Sequence, residues 1–451
     1  MENKKEKILN IIIFILFIIS SIFIATKHEY WADEAQSWMI ARDNSFIEIM
    51  QMTRYEGTPC LWTMLLKVFI SIGLPYQYFF IVPIIFSTIG IYILLFKLKL
   101  PQVLKVLLPF SYFIFYQYTI IARSYCLILP VLTLIALYYR EKEIKIITYS
   151  IFLVFLMGIS SHTYLMSGCL FLDLLYSLYK ENKFKITIKN YIIIGVLCIV
   201  YLITLLLVMP NDNCGSSLNS GKSLCVAISN ALFSSKFHEN LVDEILCFVV
   251  FSIFVKQVNF KNKIFLLLFL ISPLLINIFV HAEVWHVGIF FLTFVFFSIF
   301  AEVIENKYLK YMIVVFCLFS ITWTIKSCQY DFYNEISPNE DVVAYLKEND
   351  AENKIVYGVG YNPVEFNPYF EDNLYDNYKS EKGYYKWNLD NGYMSREEIE
   401  NNLPDIFVCH WLQADIVPEN AGYTKKVFEG CVFSKNGTYF DNIMYVYVKE
   451  K

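Results

Sequence analysis

Apolar runs of spanning length recur along this chain near 8–26, 77–96, 102–121, 124–139, 146–161, 164–179, 190–209, 241–255, 263–280, 284–301 and 310–327, broken by short polar segments. Most runs are close to the roughly 20 residues that a helix needs to cross a bilayer core and several are shorter, so the pattern predicts a polytopic α-helical membrane protein with about 11 transmembrane helices. Backbone polar groups in lipid must be satisfied within the segment, which leaves helices as the economical way to bury such runs. From about residue 331 the Ile, Phe and Leu runs give way to Asn, Asp, Glu, Tyr and Pro. The chain therefore divides into a membrane-embedded part, 1–330, and a soluble part, 331–451.

Composition agrees with that division. Of 451 residues, 57% are hydrophobic and 18% aromatic, more than a water-soluble fold can hide. The net charge of −4 and the scatter of Lys outside any basic block leave no nucleic-acid surface. None of the eleven Cys forms a CxxC pair, which removes the zinc-ribbon and redox-motif readings. Cys214 with Cys225, and Cys409 with Cys431, are the pairs placed for disulfides outside the cytoplasm. Lys4, Lys5 and Lys7 precede the apolar run Ile11 to Ala25, a pattern read as a retained first span.

Loop charge orients the spans. With a cytoplasmic N-terminus, the cytoplasmic loops hold Lys97, Lys99 and Lys105, then Arg140, Lys142 and Lys145, then Lys180 to Lys189, Lys256 to Lys263, and Lys307 with Lys310. Every loop then obeys the positive-inside rule, in the plasma (cytoplasmic) membrane. This parity requires that Thr58 to Gly73, which carries Lys67, lie at the outer interface as a helix that does not cross, with Thr58 at its cap and Pro59 in its first turn. The outer face then receives the first loop, 27–73, Arg123, His162, the loop Asn211 to Asn240, His286 and the C-terminal domain. In that domain Asn339 to Asn349 has helical spacing, while Lys354 to Val359, Asp405 to Cys409, Thr424 to Val432 and Ile443 to Val448 read as strands, which makes a small extracytoplasmic α/β domain.

Groups with chemistry gather on that outer side. Asp33 and Glu34 lie a few residues beyond the first span, where adjacent carboxylates can act as a general base or hold a metal. Glu56 is a second acidic candidate for substrate or metal. Arg123 is one of only five Arg and interrupts an apolar stretch. A guanidinium keeps its charge in poor solvent and grips phosphate oxygens with two parallel bonds, so Arg123 reads as a clamp for a lipid phosphate as readily as an interfacial anchor. His162 and His286 interrupt two further runs on the same side and are candidate phosphate contacts, with Tyr125 and Tyr164 beside these breaks as substrate contacts. Gly215 to Ser223 imitates a phosphate loop, but five residues separate its glycines where four are required. Asn436-Gly437-Thr438 fits the glycosylation sequon.

Taken in order, Asp33-Glu34-Ala35 with Trp38 and Ala41-Arg42, Glu56-Gly57 with Pro59 and Leu61-Trp62, and Ala122-Arg123-Ser124-Tyr125 resemble the polyprenyl-phosphate-sugar-dependent glycosyltransferases of the C superfamily. The resemblance is to the bacterial relatives of protein O-mannosyltransferases and lipid A aminoarabinose transferases in particular. The chain departs from them at Thr58, where His is frequent, and at Trp285, where Arg precedes the later His. The resemblance implies inverting transfer of a sugar from a lipid-linked phosphate donor to a cell-envelope glycan, glycolipid or protein. Asp33 would be the general base, Glu34 would position the acceptor or a metal, and Arg123, His162 and His286 would steady the leaving phosphate. A divalent cation is an option that Asp33, Glu34 and Glu56 leave open. The rival expectations are a silent lipid-glycan binder of the same fold, which would tolerate loss of the Asp33 carboxylate, and a transporter or flippase, which would carry polar groups at mid-membrane.

Overall fold

The computed structural model describes residues 4–182, 187–209, 241–259, 263–279, 284–387, 402–418, 421–433 and 439–450, with Ile228, Ala231, Leu232, Lys261 and Ile399. Apart from Ile228, Ala231 and Leu232, the expected outer loop 211–240 lies outside the described residues, as do the Cys214–Cys225 pair and the sequon at 436–438. The first helix, α1 (Lys4–Ala25), shows one face to its neighbours through Ile13, Phe17 and Ala25. Its other face is exposed, with Ile8, Ile12, Ile15, Leu16 and Ile19 uncovered.

Between α1 and the next apolar helix the expected loop is built of helices: α2 (Ala32–Asp43), α3 (Phe46–Glu56) and α4 (Leu61–Ser71). Their caps explain the breaks. Ser45 accepts from the Glu48 amide while Glu48 reaches back to the Ser45 amide, and Gly57, at φ 62°, closes α3 by donating to the Thr53 carbonyl. The helix expected at Thr58 begins later, at Leu61, with Cys60 as its flanking residue, so Thr58 and Pro59 belong to the turn before it. At eleven residues α4 falls short of a span, as its Lys67 suggested.

The remaining apolar helices are α5 (Ile81–Phe96), α6 (Gln102–Leu107), α7 (Ile128–Tyr138), α8 (Ile146–Met157), α9 (Ser161–Asn182), α10 (Ile188–Val208), α11 (Leu241–Gln257), α12 (Ile264–Phe279), α13 (Val284–Phe300) and α14 (Lys307–Tyr333). Among the described residues four segments are long and apolar enough to cross a membrane: Lys4–Ala25, Tyr76–Phe96, Ile188–Val208 and Lys307–Tyr333. A fifth is the pair Gln102–Phe110 and Phe113–Ile120, bent by 41°. This is fewer than the eleven runs expected from hydropathy. The apolar runs contain breaks that their composition does not show: Gly158 ends α8, and Ser111, in extended conformation after Pro109, bends the 102–121 run. Beyond that bend Phe113–Ile120 is wound as a π-helix, a form concentrated at functional sites.

The C-terminal part begins with α15 (Asn339–Glu348) and forms a four-stranded sheet of order β1-β2-β6-β3 and a two-stranded sheet of β4 and β5. The strands are β1 (Val356–Val359), β2 (Ile406–His410), β3 (Tyr423–Phe428), β4 (Cys431–Phe433), β5 (Tyr439–Asp441) and β6 (Met444–Lys449). Strand β2 runs parallel to β1 and antiparallel to β6, and it is buried on both faces. Ile406 and Val408 join one core with Val342, Leu346 and Phe366, while Phe407 and Cys409 join another with Val417. The Cys409–Cys431 disulfide that the sequence left possible does not form. Both thiols are free, because Cys409 is sealed in that second core and Cys431 pairs with Asp441 in the other sheet.

The two parts are joined along α2. Glu29 accepts from the Ile336 and Ser337 amides at 2.7 and 2.9 Å, and Gln36 exchanges two bonds with the Tyr385 backbone. Val364 packs on Ala32 and Ala35, and Arg42 donates to the Phe370 carbonyl at 2.8 Å. In the helical part, Gly288 brings α13 so close to Phe113 that any side chain there would overlap the ring. Gly288→Ala should therefore destabilise the protein by about 1–3 kcal/mol through overpacking, whereas Gly195→Ala, in open space on α10, should not. Thermal unfolding of the two variants in detergent checks this, and equal midpoints would refute the close approach.

Candidate functional site

Asp33 occupies the first turn of α2, where the amide ends of a helix favour a carboxylate. Its Oδ2 pairs with Arg123 Nη1 at 2.8 Å, and its Oδ1 accepts from the Tyr361 hydroxyl at 2.9 Å. Burial first, and then the neighbouring carboxylates Asp33 and Glu56, push the Tyr361 phenol well above its ordinary value, so it stays a donor. Tyr361 comes from the C-terminal domain.

Arg123 sits in extended conformation, φ −125° and ψ 167°, between the π-helix and the short 3₁₀ turn Ser124–Leu127. Aromatic faces surround its guanidinium: Trp285 at 4.6 Å, Tyr125 at 5.4 Å and Trp31 at 5.8 Å from the ring centroids. Trp285, at the position where the resemblance expects Arg, thus covers the cation instead of adding a second one. Burial works against the charge of Arg123, but the Asp33 carboxylate beside it raises its pKa above the ordinary value.

Asp33, Arg123, Trp285 and Tyr361 line a cavity of about 420 Å³. Glu56, Tyr125, His162 and His286 line it as well, so six of the eight residues expected from the sequence converge. The His162 and His286 rings stack at 4.5 Å, and His162 Nε2 meets Asn277 Oδ1 at 2.9 Å. Glu56 Oε1 accepts from Gln36 Nε2 at 2.9 Å. Burial raises the Glu56 carboxyl, and the Asp33 charge adds to it, so that it titrates at about 7. The cavity therefore holds an anchored anion, a caged cation and a carboxyl that exchanges its proton near neutrality.

Two expected residues lie elsewhere. Glu34 is fully buried, and both of its oxygens are committed within the fold. Its Oε1 accepts from the Ala122 amide at 2.6 Å, and its Oε2 from the Trp31 amide at 3.1 Å and from His28 Nε2 at 3.2 Å. On the other side of the ring, His28 Nδ1 meets Asp331 Oδ2 at 3.2 Å. Burial alone would lower the His28 pKa, but the Glu34 and Asp331 carboxylates outweigh it and hold the ring protonated at neutral pH. Glu34 thus fixes the backbone beside Arg123 and does not face the cavity. Tyr164 also points away, donating to the Tyr201 carbonyl at 2.9 Å. With Glu34 withdrawn, Asp33, Glu34 and Glu56 do not make the metal-binding set the sequence allowed, and among the described residues no three His, Cys, Asp or Glu side chains do so.

Sequence reasoning missed Tyr361, Trp387 and Gln36 in the cavity wall, and His28 behind it. Tyr361 and Trp387 carry no local signal, because only the docking of the C-terminal domain brings them there. His28 had one: an ionisable residue at the end of a span, six residues before a carboxylate.

Removing the buried anchor should cost more than removing the cavity anion. Glu34→Ala leaves the His28 charge poorly compensated and should lower stability by about 3 kcal/mol or more, while Asp33→Asn, in a partly exposed pair, should change it by less than about 1 kcal/mol. Unfolding in detergent followed by tryptophan fluorescence measures both, and equal losses would contradict the assignment. The folded state also holds a proton on Glu56 that the unfolded chain, with its ordinary value of 4.5, releases earlier. This contribution is complete below about 4.5 and is lost as pH rises towards about 7. The Glu56→Gln variant should lack that decline, and an unchanged pH–stability curve would show that Glu56 is not the group.

No protein family, no curated protein and no solved structure matches the chain.

Proposed function

We propose that the chain is a multi-pass plasma-membrane glycosyltransferase, with its N-terminus cytoplasmic and its cavity and C-terminal domain on the outer face. It would transfer a sugar with inversion from a polyprenyl-phosphate donor to an envelope glycan, glycolipid or protein. The membrane reading is supported by the exposed apolar faces of α1, α10 and α14, which a water-soluble chain would not leave uncovered. The shorter apolar helices complete about eleven membrane passages when the bent and broken segments are counted.

The observation that carries the reading is the Asp33–Arg123 pair inside an aromatic-walled cavity. Arg123 offers a delocalised cation to the donor phosphate, and the stacked His162 and His286 stand at the same wall. The rings of Tyr125, Trp285, Tyr361 and Trp387 offer faces on which a sugar can stack. In the reaction the acceptor hydroxyl attacks the anomeric carbon and its proton passes to Asp33. The bond from that carbon to the phosphate oxygen breaks, and the electron pair leaves on the phosphate, which needs electrostatic stabilisation in place of a protonating acid. The entering phosphate and Asp33 compete for one guanidinium, so donor binding frees Asp33 Oδ2 for the acceptor. Tyr361 holds the other oxygen in place throughout.

The test is sugar transfer from a panel of polyprenyl-phosphate sugars in proteoliposomes. Asp33→Asn and Arg123→Ala should each lower the rate by roughly a hundredfold or more, while Tyr164→Phe, outside the cavity, should retain it. Turnover by the intact protein that persists in all three variants would remove Asp33 and Arg123 from the chemistry, and no turnover with any donor would remove the transferase reading.

A further inference from the structure

The C-terminal domain grips the first turn of α2 with one short segment, the 3₁₀ turn Asn362–Tyr369. Tyr361, just before that turn, donates to Asp33, Val364 packs on Ala32 and Ala35, and Glu365 faces the Ala32 amide, the first of the helix. A helix leaves its first amides without partners of its own, so this one is met from another domain. Glu365 is only 1% exposed. It stands on the same turn that carries Tyr361 to the cavity, yet it does not line the cavity itself.

The contacts of Glu365 are one hydrogen short unless the carboxyl brings its own. Glu365 Oε2 meets Ser337 Oγ, and Ser337 Oγ meets Asn339 Oδ1 at 3.0 Å. The Asn339 amide is fixed in that sense, because its Nδ2 donates to the Tyr30 carbonyl at 2.5 Å. The Ser337 hydroxyl therefore lies between two oxygens with a single hydrogen, and Asn339 Oδ1 can only accept it. A protonated Glu365 completes the row: it donates to Ser337, Ser337 to Asn339, and Asn339 to Tyr30, in the segment that leads into α2. The surroundings agree. Among the described residues the charge that α2 turns towards Glu365 is the Glu34 carboxylate, and His28, the cation beside Glu34, is shared with Asp331. Glu29 is held by the Ser337 amide, and the remaining titratable groups that face Glu365 are the phenols of Tyr76, Tyr369 and Tyr375. Burial raises the Glu365 carboxyl to about 8, with Glu34 adding to the effect.

We propose that the proton on Glu365 latches the C-terminal domain onto α2, and that its loss parts the junction, withdraws Tyr361 from Asp33 and opens the cavity wall. An ionised Glu365 would face the Ser337 lone pairs and the Glu34 charge out of water, and separation of the two surfaces relieves both. The same docking holds the Gly383 amide on Asp43 at 2.8 Å and the Tyr385 amide on Gln36 at 3.0 Å, so these bonds form and part with it. Undocked, Glu365 meets water and returns to its ordinary value of 4.5. Docking is then strongest below about 4.5 and weakens as pH rises to about 8, where both states have lost the proton. The proposal rests on the junction and not on sugar transfer.

The test is hydrogen exchange of the full chain in nanodiscs, read at the Gly383 and Tyr385 amides and corrected for the intrinsic effect of pH on exchange. Protection should fall by up to about tenfold per pH unit towards about 8 and level off above it. Glu365→Gln keeps the shape, donates to Ser337 and cannot ionise, so it should hold its protection between about 7 and about 8. Glu56, which reaches Gln36, titrates lower, at about 7, so the variant and not the midpoint assigns the group. An equal fall in the variant and the intact protein would overturn the proposal. Where Glu365→Gln does not fold, Ser337→Ala decides: it takes the acceptor from the acid, so the level part should begin about half a unit to one unit lower. An unmoved or raised onset would overturn the row of donors and the latch with it. Exchange is read without turnover, so a protein that transfers no sugar would refute the transferase reading and leave this result standing.

Discussion

One buried carboxylate organises this protein. Glu34 closes the first turn of α2 through the Trp31 amide, holds the Ala122 amide beside Arg123, and shares the His28 ring with Asp331 of α14. Tyr116, in the π-helix, donates to Asp331 at 2.7 Å and extends the network to a third segment. A carboxylate out of water is tolerated only when its lone pairs are met and its charge is balanced, and here both conditions tie distant parts of the chain to one point. The geometry of Asp33 and Arg123 follows from this, because Asp33 adjoins Glu34 itself and Arg123 adjoins the Ala122 amide that Glu34 holds.

The adjacent carboxylates therefore divide two tasks between them. Neighbours in a helix point about 100° apart, so one of the pair turns into the fold and the other into the cavity. The same logic governs α3, whose two adjoining faces line separate cavities, and β2, whose two faces feed separate cores. The C-terminal domain is part of the site and not an appendage. It closes the wall with Tyr361 and Trp387 and is held there by Gln36, Arg42 and Glu29. A buried carboxyl at that junction, Glu365, is hydrogen-bonded to Ser337, and burial raises it to about 8, so it is neutral at ordinary pH and leaves no bare charge at the seam.

Much of this was legible in the sequence, and for identifiable reasons. Hydropathy found the apolar segments, since composition is a local property, and α4, which loop-charge parity kept out of the spans, is eleven residues long. Alternating β-rich runs located the strands of the C-terminal sheet. Polar interruptions of apolar runs located Arg123, His162 and His286, because a polar group within such a run has few reasons to be there. The ends of the segments were less legible. The π-helix, the bend after Pro109 and the stop at Gly158 depend on where backbone hydrogen bonds are broken, which composition does not report.

The sequence by itself determined the apolar helices, the change of composition near residue 331 and the candidate polar residues, because each depends on side-chain type and on spacing along one element. Tertiary structure alone decided which of Asp33 and Glu34 faces the cavity, that Trp285 covers Arg123, that Tyr361 reaches Asp33 from more than 300 residues away, and that Cys409 stays apart from Cys431. Those outcomes depend on how helices rotate and which loops dock. Such choices are set by contacts between segments far apart in the chain, and no local pattern records them.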